Sequence, residues 1–333
     1  MEKKCLSFLL ISLFFIFVGD GIGKEKEVVV YTSLDQIYSE PILRGFEKET
    51  GIKVKAVYDI EATKTIGLVN RLIAERKRPR CDVFWNNEIV NTIRLKKRGI
   101  LSPYNFKGNI IKGFDDPDRY WYGFAARCRV IVINKEKVVK SRSPRSILEV
   151  IDKRWKKKVC MAYPLFGTTA THMAALAEIW GIDRLINFLK LAKENKVSFV
   201  DGNSVVRDKV AKGIYCWGIT DTDDVYSGIQ RGMPIEMIMP DQDGIGTLFI
   251  PNTVSLIKGA PHPENGKRVI EFLLSRQTEW RLSRSGSGQI PIRHKIEPVK
   301  GIPRLDDIKV MAVDFENLAD LMDTVLPQIE SII

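Results

Sequence analysis

Three times in its first hundred residues the chain sets a short β-branched or aromatic run ahead of an amphipathic helix. Residues 27–32 (EVVVYT), 52–58 and 82–85 have the length and composition of strands. Residues 38–50, 63–76 and 89–98 carry apolar side chains at helical spacing, and the first and last of these stop at Gly51 and Gly99. Alternation this regular requires a mainly parallel sheet with helices on both faces. A second block repeats it, with strands expected at 159–163, 197–200 and 215–219 and helices at 167–180, 184–194 and 205–212. Between the blocks, residues 123–134 form one extended run, longer than a typical strand and long enough to cross between two lobes. Beyond the second block we expect extended pieces at 236–239, 247–250 and 253–257, a helix at 263–275 and a loop at 283–289. Residues 143–154 read as a helix opened by Ser143 and Pro144, and 313–333 as a C-terminal helix that Pro327 interrupts or kinks.

The 333 residues suffice for two domains, and they contain no internal repeat. The start differs in character. Lys3 and Lys4 precede an apolar run, residues 6–18, and then Gly21 and Gly23, the three-part pattern of a cleavable signal peptide. That run falls short of the roughly 20 apolar residues of a membrane span. An exported soluble protein beginning near Lys24, periplasmic or extracytoplasmic, is expected. The formal net charge of +11 survives removal of residues 1–23, because Lys3 and Lys4 offset Glu2 and Asp20. Such a surface attracts anions or a membrane. The basic residues are spread along the sequence rather than set in one aromatic-interleaved stripe, which argues against nucleic acid. Cys81, Cys128, Cys160 and Cys216 form no C-x-x-C pair, which argues against zinc, and mostly free, buried thiols are expected.

One stretch concentrates chemistry. The apolar run 215–219 stops at Thr220, and Asp221, Thr222, Asp223 and Asp224 follow at the start of a short helix. In α/β sheets ligands sit outside the carboxyl ends of strands. The same rule singles out Ser33 and Asp35 after the first strand, and Asn87 and Glu88 after the third. Gly167, Thr168 and Thr169 open a helix, where free backbone N–H groups form an anion site. Arg127 and Arg129 share one face of the long extended run, and a guanidinium there suits carboxylate or phosphate. Asp223 and Asp224 offer hard oxygen donors to Fe3+, Ca2+ or Mg2+, and equally suit an amine or a sugar hydroxyl. Helix capping is the plain alternative for Ser33, Asn87, Thr168 and the aspartates. His172, His262 and His294 share no ligand spacing and read as structural. An apolar strand followed by Asp-x-Asp also occurs in Mg-dependent phosphatases, with Asp221 as nucleophile and Asp223 beside it, but here the motif comes late in the chain.

Several strings, in their order and spacing, resemble one family. They are Val29-Val-Tyr-Thr-Ser33, Phe46-Glu-Lys-Glu-Thr-Gly51, Asp82-Val-Phe-Trp85 followed by Asn87-Glu88, and Pro251-Asn-Thr-Val-Ser-Leu-Ile-Lys-Gly-Ala260 with Pro263. The chain from residue 24 onward is similar to the periplasmic substrate-binding proteins of ABC importers, in the branch that includes ferric-iron-binding proteins. The resemblance implies an α/β, type II two-lobed periplasmic binding protein fold joined by crossing hinge strands. Lobe 1 would hold residues 24–126 and 245–275, and lobe 2 residues 127–244 and 276–333. It further implies a monomeric binding protein, no enzyme and no required cofactor, which passes its ligand to the membrane subunits of an ABC permease. The first ligand it implies is iron(III), or another hard cation, with a synergistic anion. Ferric relatives carry a histidine near Asp35, a ligating glutamate near Asn87, the anion at the turn 167–170, and an adjacent tyrosine pair where Asp223 and Asp224 stand. Both tyrosines are absent here. That departure leaves room for a phosphonate or phosphorylated organic solute, with its anionic end on residues 167–170 and a cationic end on 221–224.

Overall fold

The structure is a computed structural model that describes residues 26–59 and 66–333; the expected signal segment lies outside the described residues. The first block folds as β1 (Glu27–Thr32), α1 (Gln36–Thr50), β2 (Lys53–Tyr58), α2 (Ile66–Ala74), β3 (Val83–Asn86), α3 (Ile89–Lys97) and a short β4 (Leu101–Ser102). β1 lies between β2 and β3, parallel to both. β1 and β3 alternate their buried side chains between two apolar layers. Val28, Val30 and Trp85 pack under α1, whereas Tyr31 and Phe84 pack under α2.

β5 (Tyr122–Asn134) is thirteen residues long and buried throughout. Its first half pairs antiparallel with β10 (Phe249–Ile257), which continues the first sheet beside β3. From Arg129 onward β5 pairs instead with β8 (Trp217–Asp221) and β9 (Ile235–Ile238). One strand therefore serves two lobes, and the changeover falls at Cys128 and Arg129. The chain crosses back between β9 and β10. β10 is continuous where the sequence suggests two pieces, because Pro251 sits at a bulge in the pairing with β5.

Lobe 2 is built from β6 (Val159–Ala162), α4 (Gly167–Trp180), α5 (Ile182–Glu194), β7 (Ser198–Val200), α6 (Asn203–Ala211), β8 and α7 (Thr222–Gln230). β6 pairs parallel with β7 and β8. α8 (Pro263–Leu273) and α9 (Arg276–Ser283) follow β10, and α9 packs on α1, α8 and β5. α10 (Phe315–Glu330) lies against both α4 of lobe 2 and α3 of lobe 1. Ile89, Val90 and Ile93 of α3 share one apolar cluster with Met173 and Leu176 of α4 and Leu318 and Met322 of α10.

Two helix expectations change. Residues 143–154 form 3-10 turns at Ile147–Ile151 and Lys153–Trp155 rather than one helix. The Asn195 amide takes the carbonyls of Val150 and Asp152, and the Asp152 side chain caps the second turn, so the helical ladder cannot run through. α10 runs through Pro327 to Glu330, held by packing of Leu318, Met322, Val325 and Ile329. The four described cysteines are unpaired, and Cys81, Cys128 and Cys160 are buried. Among the described residues no helix is long and apolar enough to cross a membrane.

Candidate functional site

The carboxyl ends of β1, β3, β6, β7 and β8 converge on one cleft where β5 passes between the lobes. Lobe 1 contributes Asp35 and Asn87 to its wall. Lobe 2 contributes Gly167, Thr168 and Thr169 at the start of α4, and Asp221, Asp223 and Asp224 at the start of α7. Arg127 reaches in from the crossing strand. Ala162, Tyr163, Phe166, Asp201, Gly202 and Asn203 complete the lining; sequence reasoning missed these six. Asp201 and Asn203 follow β7, so the strand-end rule applied to the first, third and eighth strands would have found them.

Of the other expected residues, Ser33, Glu88 and Thr222 are buried outside the lining. The Ser33 hydroxyl accepts from the Asn87 N–H at 2.9 Å, and the Asn87 amide donates to the Ser33 carbonyl at 3.0 Å, so Ser33 orients Asn87. The Thr222 hydroxyl accepts from the Cys128 N–H at 3.2 Å, which ties α7 to the crossing strand. Glu88 caps α3, accepting from the N–H groups of Val90 and Asn91 at 2.6 and 2.9 Å. It also accepts from the Thr171 hydroxyl of α4 at 2.7 Å, a buried bond between the lobes. Burial raises its carboxyl above the ordinary range despite these donors.

The two arginines have different tasks. Arg129 is fully buried beneath the cleft, and its Nη1 donates to Asp221 Oδ1 at 2.7 Å, Asn203 Oδ1 at 2.9 Å and Thr168 Oγ1 at 3.1 Å. Asp221 Oδ2 accepts from Thr168 Oγ1 at 2.6 Å and Asn203 Nδ2 at 2.9 Å. Both oxygens of Asp221 are thus engaged within the protein. Arg127 Nη1 lies 3.2 Å from Asp223 Oδ2 and 3.6 Å from Asp221 Oδ2. Its Nε and Nη2 are buried without a hydrogen-bond partner. Burial alone would discourage its charge, but the fields of Asp223, Asp221, Asp224 and Asp35 hold the guanidinium above its usual range.

Two further features face the same space. No side chain caps α4, so its first N–H groups keep their donor capacity, and the buried Thr169 hydroxyl has no partner. Asp221, Asp223 and Asp224 each present an oxygen within 4.8 Å of the others, an arrangement able to hold a cation. The cavity at this cleft is about 40 Å3, room for a few waters or a small ion. Beside the cleft, the Tyr38 side chain of α1 comes close to Ser227 of α7.

A cleft between two α/β lobes, spanned by a shared strand and lined by the strand ends of both, defines a solute-binding protein. The chain belongs to the bacterial extracellular solute-binding protein family, whose model matches residues 92–319. Proteins of this family are the solute-binding components of ABC importers, and this chain is one of them. It is 25% identical over 282 residues to iron uptake protein A1 of Synechocystis, covering 80% of this chain and 76% of that protein. It is also 25% identical over 260 residues to a candidate 2-aminoethylphosphonate-binding periplasmic protein of Salmonella typhi, covering 76% of this chain and 74% of the relative. The apo ferric ion-binding protein A of Pasteurella haemolytica superposes with a TM-score of 0.81 at 24% identity, over 92% of this chain and 98% of that one. These relatives are binding proteins rather than enzymes.

Proposed function

We propose that the cleft takes a small organic solute with a phosphonate or phosphate group at one end and a positive centre, such as an amine, at the other. The observation that carries this reading is the Arg127 guanidinium, with one nitrogen on Asp223 and two buried nitrogens unpartnered. Beside it stand the uncapped start of α4 and the unpartnered Thr169 hydroxyl. A planar donor fork beside a helix N-terminus matches the oxygens of a tetrahedral oxyanion. Asp35, Asp201, Asp223 and Asp224 give the remaining wall a negative character suited to the positive end. In this reading Asp35, Asn87, Arg127, Gly167, Thr168, Thr169, Asp223 and Asp224 meet the solute, joined by Asp201 and Asn203. Ser33, Glu88, Asp221 and Thr222 hold them in place. The relative from Salmonella typhi supports the same solute class.

A second reading has its own support. The three neighbouring carboxylates could hold iron(III) or another hard cation, with a synergistic anion on α4, as the names of the Synechocystis and Pasteurella relatives suggest. The arginines weigh against it, because Asp221 is already saturated and Asp223 is shared with Arg127. Catalysis has less support still, since the Asp221 that a phosphatase would use as nucleophile is fully buried with both oxygens engaged. We take the protein to be exported, with residues 1–23 removed, and to deliver its solute as a monomer to the permease subunits of its importer.

Calorimetric titration of the purified protein with 2-aminoethylphosphonate, sugar phosphates and ferric citrate tests these readings. Heat with a phosphonate or phosphate ester and none with ferric citrate is the expected result. The reverse pattern establishes the cation reading, and silence with every solute overturns both.

A further inference from the structure

The basic residues look scattered along the sequence, but the fold collects them. Four segments meet at the pole of lobe 2 opposite the cleft, where β5 ends and β6, β7 and β8 begin. They are residues 135–137, 152–158, 193–196 and 209–214. Backbone and amide bonds tie them into one surface. The Lys157 N–H donates to the Asn195 carbonyl at 3.0 Å, and the Cys216 N–H to the Lys158 carbonyl at 2.8 Å. The Asn134 amide donates to the Val210 carbonyl at 2.8 Å. The Ile214 N–H donates to the Lys209 carbonyl at 3.0 Å.

These segments hold eleven lysines and arginines against three acidic residues, so they carry +8 of the chain's formal +11. Lys135, Lys137, Lys156, Lys157, Lys196 and Lys212 are all exposed. Ile214, in one of these segments, is 56% exposed, an aliphatic side chain on the same cationic face. The tryptophan of the same surface, Trp155, is buried and offers no ring for stacking on a base. Clustered lysines around an exposed aliphatic side chain match an anionic lipid surface, where ammonium groups meet phosphates and the apolar side chain meets the acyl boundary.

We propose that this pole docks on the anionic phospholipid surface of the membrane that carries the permease. Because the pole lies at the far end of lobe 2, docking leaves the cleft free to open and holds the loaded protein close to its importer. Each lysine beside such a surface strengthens binding several-fold, so four of them together account for at least about a hundredfold.

The test uses the full chain and pelleting with phosphatidylcholine vesicles, with and without phosphatidylglycerol. One variant combines Lys156→Gln, Lys157→Gln, Lys196→Gln and Lys212→Gln. A charge-matched control combines Lys48→Gln, Lys107→Gln, Lys112→Gln and Lys300→Gln, at exposed positions away from the pole. The expected result is binding that requires phosphatidylglycerol, weakens with salt, falls at least about a hundredfold in the polar variant and stays within about threefold in the control. Equal binding to neutral vesicles overturns the proposal, since another part of the chain would then be responsible. Equal losses in the two variants also overturn it, reducing the effect to net charge, as does tighter retention on a single-stranded oligonucleotide than on anionic vesicles. Solute titration of both variants keeps this test separate from that of the cleft, whose lining includes none of the eight lysines.

Discussion

Arg129 Nη1 stands 2.7 Å from Asp221 Oδ1, and neither residue is exposed. The two are partners in the antiparallel register of β5 and β8, at the point where the crossing strand passes from one lobe to the other. Asp221 therefore serves the frame of the cleft, whereas in the proposed reading Asp223 meets the solute. Asp221→Ala leaves a buried guanidinium without its counter-ion and should cost about 3–5 kcal/mol of stability, read by chemical denaturation. Asp223→Ala should cost less, because Arg127 keeps Asp221 at 3.6 Å, yet it should abolish solute binding. Equal stability losses in the two variants would remove the distinction drawn between these aspartates.

In the proposed reading Arg127 supplies the donors for an oxyanion. Arg127→Lys keeps the charge but loses the planar fork, and solute affinity should fall by about ten- to a hundredfold, as for loss of a charge-assisted hydrogen bond. Thr169→Val removes a hydroxyl with no protein partner, so the free protein should keep its stability while affinity falls by a similar factor. Calorimetry and thermal melts on the same samples check both. Unchanged affinity in both variants would move the oxyanion away from α4.

Most of the fold was legible in the sequence, for reasons that particular residues make plain. EVVVYT could only be a strand between polar neighbours, and Gly51 and Gly99 marked helix ends. What escaped depended on contacts distant in sequence. The helix expected over 143–154 is broken by Asn195, some forty residues further on. α9 has few apolar residues (RQTEWRLS), and its buried Glu279 is satisfied by the N–H groups of Ile292 and Arg293. At the site, Asp35, Asn87, Arg127 and the two strand-end clusters were readable from position alone. The division of labour between Arg127 and Arg129 was not, because two residues on one strand face look alike until the depth of each is known. The same holds for the lysines of the lobe 2 pole, which are neighbours only after the sheet has formed.

Glu88 links pH to stability. Its folded pKa is raised above the ordinary 4.5 by burial, so between these two values the folded state binds the proton more tightly than the unfolded state does. Its contribution is therefore complete below about pH 4.5 and declines as pH rises through the raised value. Glu88→Gln removes the titration, so the variant's stability should fall less than that of the parent as pH rises above 4.5. Denaturation midpoints across that range give the comparison, and parallel curves for the two proteins would refute it.

A contact between Tyr38 and Ser227 bears on how the cleft stays shut. Ser227 Oγ accepts from Arg207 Nη1 at 2.9 Å and donates to the Asp224 carbonyl at 2.9 Å, and the Tyr38 hydroxyl of α1 lies beside it. The contact joins α1 of lobe 1 to α7 of lobe 2, the helix that opens with Asp223 and Asp224. Burial foremost raises the Tyr38 hydroxyl above its ordinary range, so it is protonated at neutral pH. Tyr38→Phe keeps the ring and removes only the hydroxyl from this contact, at a cost of about 1 kcal/mol. The closed state should lose that amount relative to the open one, and solute affinity should fall about fivefold through faster release. Small-angle scattering of the solute-free variant should show a larger radius of gyration than the parent. If the contact acts as a latch, Ser227→Ala added to Tyr38→Phe should weaken binding by less than the product of the two single effects. Fully independent losses would show that the two hydroxyls do not act through one another.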